Sequence, residues 1–122
     1  MSGANNILVD TNLIILWIGG DSHVRKLLEG RTIFISVITE IELLSITFQD
    51  SQDERLMSDF ISNCFIIDLD TEVKRYTIQI RKKQKVKLPD AVIAASSLVK
   101  KLPLFTADNG FGKITGLNVI LI

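Results

Sequence analysis

Histidine and cysteine are almost missing from this chain, which has one of each among 122 residues, His23 and Cys64. A lone cysteine forms no internal disulfide, and one nitrogen donor and one sulfur donor fall short of a zinc site built from those residues. Any bound metal is therefore expected to be held by oxygen. The same count rules out chemistry that runs through a pair of histidines. Long apolar runs are lacking too. None reaches the ~18 residues needed to span a bilayer, and the opening MSGANN has neither the basic flank nor the apolar stretch of a signal peptide. A soluble, cytoplasmic protein with no membrane partner is expected. Repeats, low-complexity tracts and linkers are absent, so 1–122 reads as a single domain with one core, long enough to fold without disulfides.

Acid is scarce in the second half. The formal net charge is zero, but residues 1–72 carry twelve acids and four bases, and residues 73–122 carry two acids and ten bases. Those two acids, Asp90 and Asp108, stand at the edges of the apolar segments LPDAVIAASSLV and PLFTAD. Asp10 closing ILVD and Glu42 inside ISVITEIELL are placed in the same way. Each has an ordinary explanation. Asp10 and Asp108 can cap strand ends, Asp90 can favour a helix N-terminus, and Glu42 can be the far member of a capping box with Thr39. As a set they are harder to explain. Bare carboxylates ~4 Å apart repel by roughly 4 kcal/mol per pair at an effective dielectric near 20, so four in one pocket call for a cation. Hard oxygen donors favour Mg²⁺ or Mn²⁺. Glu40 and Glu42 are two apart on a helix, so only one can enter such a pocket, and Asp68 and Asp70 read as loop and cap.

Short β-branched runs at 7–10, 33–37, 65–67, 104–106 and 119–122 alternate with helical patterns. The runs are apolar on both faces, as parallel strands covered by helices on each side require. Gly19-Gly20 ends a short helix containing Trp17. Ser51 with Glu54 suggests a capping box that opens a helix to about Asn63. Asp70 suits the N-cap of a basic helix to about Lys85, and Pro89 the first turn of the next. Only a turn or two of helix fits between Asn109 and Ile114. In such sheets the ligand site lies beyond the carboxyl ends of the strands, where strand order reverses. Thr11, Asn12, Ser36, Thr39 and Thr106 surround the four acids with groups able to orient them. The run Arg81, Lys82, Lys83, Gln84, Lys85, Val86, Lys87 precedes Asp90 and is a candidate path for a polyanion, although a helix C-terminus favours the same charges.

The segments LVDTNLI, SVITEIELL, LPDAVIAASSL and LFTADNGF, in this order and spanning nearly the whole chain, resemble the PIN-domain family, VapC-like toxins in particular. The Ser36, Thr39, Glu42 spacing matches the family pattern and selects Glu42 over Glu40. The resemblance implies a three-layer α/β/α sandwich with a five-stranded parallel sheet of order 3-2-1-4-5. It also implies an Mg²⁺- or Mn²⁺-dependent ribonuclease, the toxin of a toxin–antitoxin pair. By position Asp10, Glu42, Asp90 and Asp108 become the metal-site and catalytic acids, with Asn12, Ser36, Thr39 and Thr106 in support. Arg81, Lys82, Lys83, Lys85 and Lys87 are then expected to contact RNA. A homodimer and a cognate antitoxin are the implied protein partners. Ala107 departs from the family, which often has a basic residue between the threonine and the aspartate. The alternative is a PIN-like nucleic-acid or protein binding module without cleavage. A phosphoacceptor receiver domain fits less well, because Asp10 has no acidic neighbour and no lysine follows the last strand. A dehalogenase-type phosphatase would need a second aspartate where Asn12 stands.

Overall fold

Ile7, Leu8 and Val9 are all fully buried, as a strand covered on both faces demands. In the computed structural model, which describes residues 5–122, they belong to β1 (Asn6–Val9) at the centre of a five-stranded sheet. The other strands are β2 (Thr32–Ser36), β3 (Phe65–Ile67), β4 (Leu104–Thr106) and β5 (Val119–Leu121). Their order is β3-β2-β1-β4-β5, and every pairing is parallel. Strand order therefore reverses between β1 and β4, and the crevice above their carboxyl ends is the expected ligand site.

Among the described residues six α-helices cover the sheet: α1 (Thr11–Ile18), α2 (Ser22–Leu28), α3 (Val37–Leu44), α4 (Ser51–Ser62), α5 (Thr71–Lys83) and α6 (Leu88–Lys100). A 3-10 turn at Asn109–Lys113 bridges β4 and β5. The two-residue period of the strands sorts their side chains into two apolar clusters rather than the single core expected from length. Ile7 and Val9 of β1, Ile33 and Ile35 of β2, and Phe105 of β4 meet Leu13, Ile14 and Ile18 of α1, with α2 and α4 behind them. Leu8 and Leu104 point to the opposite face and meet α5 and α6, where Ala91 to Ala95 are all buried. Small side chains at Ala91, Ala94 and Ala95 let α6 approach the sheet closely, and that approach sets the depth of Asp90 on the preceding turn.

Local chemistry accounts for the ends of the elements. Asp10, Asp21 and Asp70 cap α1, α2 and α5 by accepting from the backbone N–H three residues on. Before α4 the cap is Asp50, whose Oδ1 accepts from Gln52 N at 2.8 Å, so the expected Ser51–Glu54 box is displaced by its neighbour. α5 stops at Lys83, two residues earlier than the basic pattern suggested, and Gln84 is already extended. Lys101 ends α6 in the left-handed conformation, with φ of 56°. On α1, Ile15 and Leu16 face outward, each 41 % exposed, as six successive apolar residues on one short helix require.

Candidate metal centre

Asp10 follows the last residue of β1, and its position is fixed from two directions. One carboxylate oxygen caps α1 by accepting from Leu13 N at 3.0 Å, and the other accepts from the Thr106 hydroxyl at the end of β4. Thr106 Oγ1 in turn accepts from Asp108 N at 2.9 Å. A single buried threonine thus links the carboxyl ends of β1 and β4 and sets the turn that carries Asp108. Asp108 Oδ1 accepts from Gly110 N at 2.8 Å, and a Cβ built on Gly110 would come within 3.1 Å of that same oxygen. A side chain there would crowd the carboxylate.

Glu42 reaches the site from α3. Thr11 Oγ1 donates to Glu42 Oε1 at 2.6 Å and lies 3.0 Å from Thr39 Oγ1, so the helix that follows β1 holds the acid of the helix that follows β2. Asp90 comes from the first turn of α6, and its side chain takes no hydrogen bond among the described residues. Asp10, Glu42, Asp90 and Asp108 line one cavity of about 100 Å³, together with Thr11, Asn12, Ile93 and Phe111. Asp10 forms its buried floor, Asp90 is half-buried, and Glu42 and Asp108 stand at the exposed rim.

The electrostatics are those of crowded acid. Burial pushes the Asp10 carboxyl above its ordinary value, the Thr106 and Leu13 hydrogen bonds oppose this, and repulsion from Asp108 and Asp90 adds to it. Asp90 is raised first by burial and then by Asp108 and Glu42, with Lys87 and Lys113 pulling the other way. Among the described residues the one salt bridge joins Arg75 to Glu72, so none of the four acids is paired with a lysine or arginine. The donor set consists of carboxylate oxygens and suits a hard divalent cation. The fit is that of converging donors rather than a finished cage. Among the described residues no three acids already stand in ligand positions around one point, so closing on an ion calls for side-chain rotation.

The supporting residues divide. Asn12 lines the cavity, and Thr106 and Thr39 hold the residues that do. Ser36 is fully buried and caps α3 by accepting from Ile38 N at 3.1 Å, so its part is to place the helix of Glu42 and not to touch the cleft. Thr11, which stood among the surrounding hydroxyls, turns out to hold Glu42 directly. The basic run divides too. Lys85 and Lys87 line a second cavity of about 260 Å³ that shares Asp90, Asp108 and Phe111 with the acid cleft. Lys83 borders a different cavity with Tyr76 and Leu98. Arg81 Nε donates to Val86 O at 3.3 Å and braces the loop, and Lys82 lines neither cavity. Lys113, from the 3-10 turn, also lines the cavity of Lys85 and Lys87. No local pattern marks it, because it reaches this wall only through the fold.

A family model of the PIN domain matches residues 7–117. The chain belongs to the PIN-domain family. Among solved structures it is similar to the Rickettsia felis VapBC2 complex bound to a promoter DNA fragment, with a TM-score of 0.83 and 23 % identity over 96 % of this chain and 98 % of that one. A toxin–antitoxin complex from Klebsiella pneumoniae gives a TM-score of 0.81 and 27 % identity, covering 93 % of this chain and 95 % of that one. DNA-bound VapBC from Salmonella typhimurium gives 0.79 and 27 %, covering 94 % and 96 %. A search of curated proteins found no match.

Proposed function

We propose that this chain is a divalent-metal-dependent endoribonuclease, the toxin of a toxin–antitoxin pair, and that Asp10, Glu42, Asp90 and Asp108 are its metal ligands. One observation carries the reading: four carboxylates from four separate segments line one small cleft at the strand-order reversal, and among the described residues none of them is in a salt bridge. A structural relative described as a toxin–antitoxin complex, 27 % identical to this chain, supports the biological role.

When bound, Mg²⁺ or Mn²⁺ supplies Lewis-acid stabilisation of the phosphoryl group and lowers the pKa of water. The chain's own contribution is placement. Asp10 is the fixed ligand, held on both oxygens by groups that cannot move without disturbing β4 or α1. Asp108 shares Thr106 with it, so the two aspartates keep a set relation. Glu42 is held by Thr11, while Asp90, whose side chain makes no hydrogen bond among the described residues, is the acid that would turn to complete the ligand set. Ile93 and Phe111 form the apolar part of the wall and limit water around the acids.

Cys64 plays no part in this chemistry, because burial pushes its thiol up to about 12 and it lies in the cluster behind α4. Among the described residues no helix is long and apolar enough to cross a membrane. The exposed apolar side chains Ile15 and Leu16 on α1, with Ile41 and Leu44 on neighbouring α3, are the surfaces we assign to a second copy or to the antitoxin.

The deciding experiment is RNA cleavage by purified protein. Products should form with Mg²⁺ or Mn²⁺ and stop with chelator. Cleavage that persists in chelator would overturn the reading.

A further inference from the structure

The cavity beside the acid cleft is built around a cross-brace that neither the family assignment nor the four acids explains. Gln84, the first residue beyond α5, donates from Nε2 to Lys113 O at 2.6 Å. Lys113 returns the contact by donating from Nζ to Lys85 O at 3.0 Å. Arg81 clamps the same loop through Val86 O. The loop between α5 and α6 is thus tied to the 3-10 turn after β4, and three ammonium groups, Lys85, Lys87 and Lys113, line one cavity of about 260 Å³. Asp90, Asp108 and Phe111 are common to this cavity and the acid cleft, so the two are continuous. Lys87 and Lys113 are close enough for Asp90 to feel their charge.

We propose that Lys113, with Lys87 and Lys85, forms the phosphate-binding subsite that receives the RNA backbone next to the scissile linkage. This inference rests on the nuclease reading above. All three lysines are exposed and have N–H donors to spare, since an ammonium carries three and Lys113 uses one within the fold. A ligand spanning both cavities must tolerate carboxylates at one end and ammonium groups at the other. A polynucleotide does so, because its backbone repeats a charge that cations neutralise in the cleft and lysines neutralise beside it. An acidic peptide lying in the lysine cavity would press against Asp90 and Asp108. Lys83, bordering another cavity, is excluded from the subsite, so only part of the basic run meets RNA there.

The test is binding of a short fluorescein-labelled single-stranded RNA in chelator across a salt series, followed by cleavage kinetics with Mg²⁺. Lys113→Gln and Lys87→Gln should each weaken binding and lower the slope of log K against log salt by about 0.7, the value for one phosphate contact on a single strand. Lys100→Gln, which removes the same charge from the far end of α6, should leave the slope as it was. In cleavage the two subsite variants should raise KM more than they lower kcat. Lys87 makes no side-chain hydrogen bond within the fold among the described residues, so its variant reports on the subsite even if Lys113→Gln loosens the brace. RNA binding that depends on these lysines without any cleavage supports the subsite and sinks the nuclease reading. Metal-dependent cleavage with wild-type slopes in both variants sinks the subsite and leaves the nuclease reading standing. Absence of RNA binding by the wild-type chain, or stronger Lys113-dependent binding of polyglutamate than of RNA, overturns the subsite as well.

Discussion

Asp10 and Asp70 cap α1 and α5 in the same way, each accepting from the backbone N–H three residues on, at 3.0 and 2.9 Å. Their surroundings differ. Asp70 is exposed, and among the described residues its carboxylate makes no hydrogen bond beyond the cap. Asp10 is 4 % exposed, gives its second oxygen to a threonine 96 residues away, and faces three other carboxylates across a small cleft. A helix cap that served only the helix would gain nothing from burial among like charges, which costs stability. The comparison separates an acid kept for local structure from one whose placement works against the metal-free fold.

The largest effect that sharpens this contrast is expected from Asp10→Asn. Asparagine caps a helix about as well as aspartate, so the chain should stay folded by circular dichroism. Ribonuclease activity should fall by more than the ~100-fold that follows loss of a supporting partner. Next is Thr106→Val, which keeps the shape of the side chain but removes the hydroxyl shared by Asp10 and Asp108. A loss of roughly 10- to 100-fold in activity or metal affinity is expected, measured as kcat/KM and by metal titration. Asp70→Ala should do the converse, costing about 1 kcal/mol in denaturant unfolding with activity per folded molecule unchanged. Lost activity in Asp70→Ala, or retained activity in Asp10→Asn, would break the comparison.

The smallest effect is one of pH. Asp10 and Asp90 both have folded-state pKa values above the ordinary 3.8, so the metal-free fold binds their protons more tightly than the unfolded chain does. That stabilising contribution is fully present below the ordinary value and is lost as pH rises through the raised values. In chelator, wild-type Tm relative to that of Asp90→Asn should therefore fall as pH rises from the acid side, and saturating Mg²⁺ should shrink the difference. A Tm difference independent of pH in chelator would contradict the cause assigned to the shift.

Much of this molecule was legible from local pattern. β-branched runs at Ile7, Ile33 and Leu104 marked strands because a doubly covered strand must be apolar on both faces, and the acids at their ends stood out in a basic half. The four carboxylates named from sequence are the four that line the cleft. What escaped the sequence depends on distance through the fold. Thr11 holding Glu42, Ser36 serving as a cap rather than lining the cleft, and Lys113 meeting Lys85 across 28 residues are all set by packing of elements, not by spacing within one. The basic run showed the same limit, since its seven residues look uniform in sequence while the loop after Gln84 turns Lys85 and Lys87 toward one cavity and leaves Lys83 at another. Asp50 displaced the Ser51 box because two acceptors adjacent in sequence compete for one helix start.

The central claim is that the four carboxylates form a divalent-cation site, and crystals soaked in Mn²⁺ test it most directly through anomalous scattering. The account predicts a peak in the cleft within coordinating reach of Asp10 and of at least one of Asp90, Asp108 and Glu42, absent from Asp10→Asn crystals soaked in the same way. An empty cleft in a wild-type protein that still cleaves RNA in Mn²⁺, or a peak held by other residues, would contradict it.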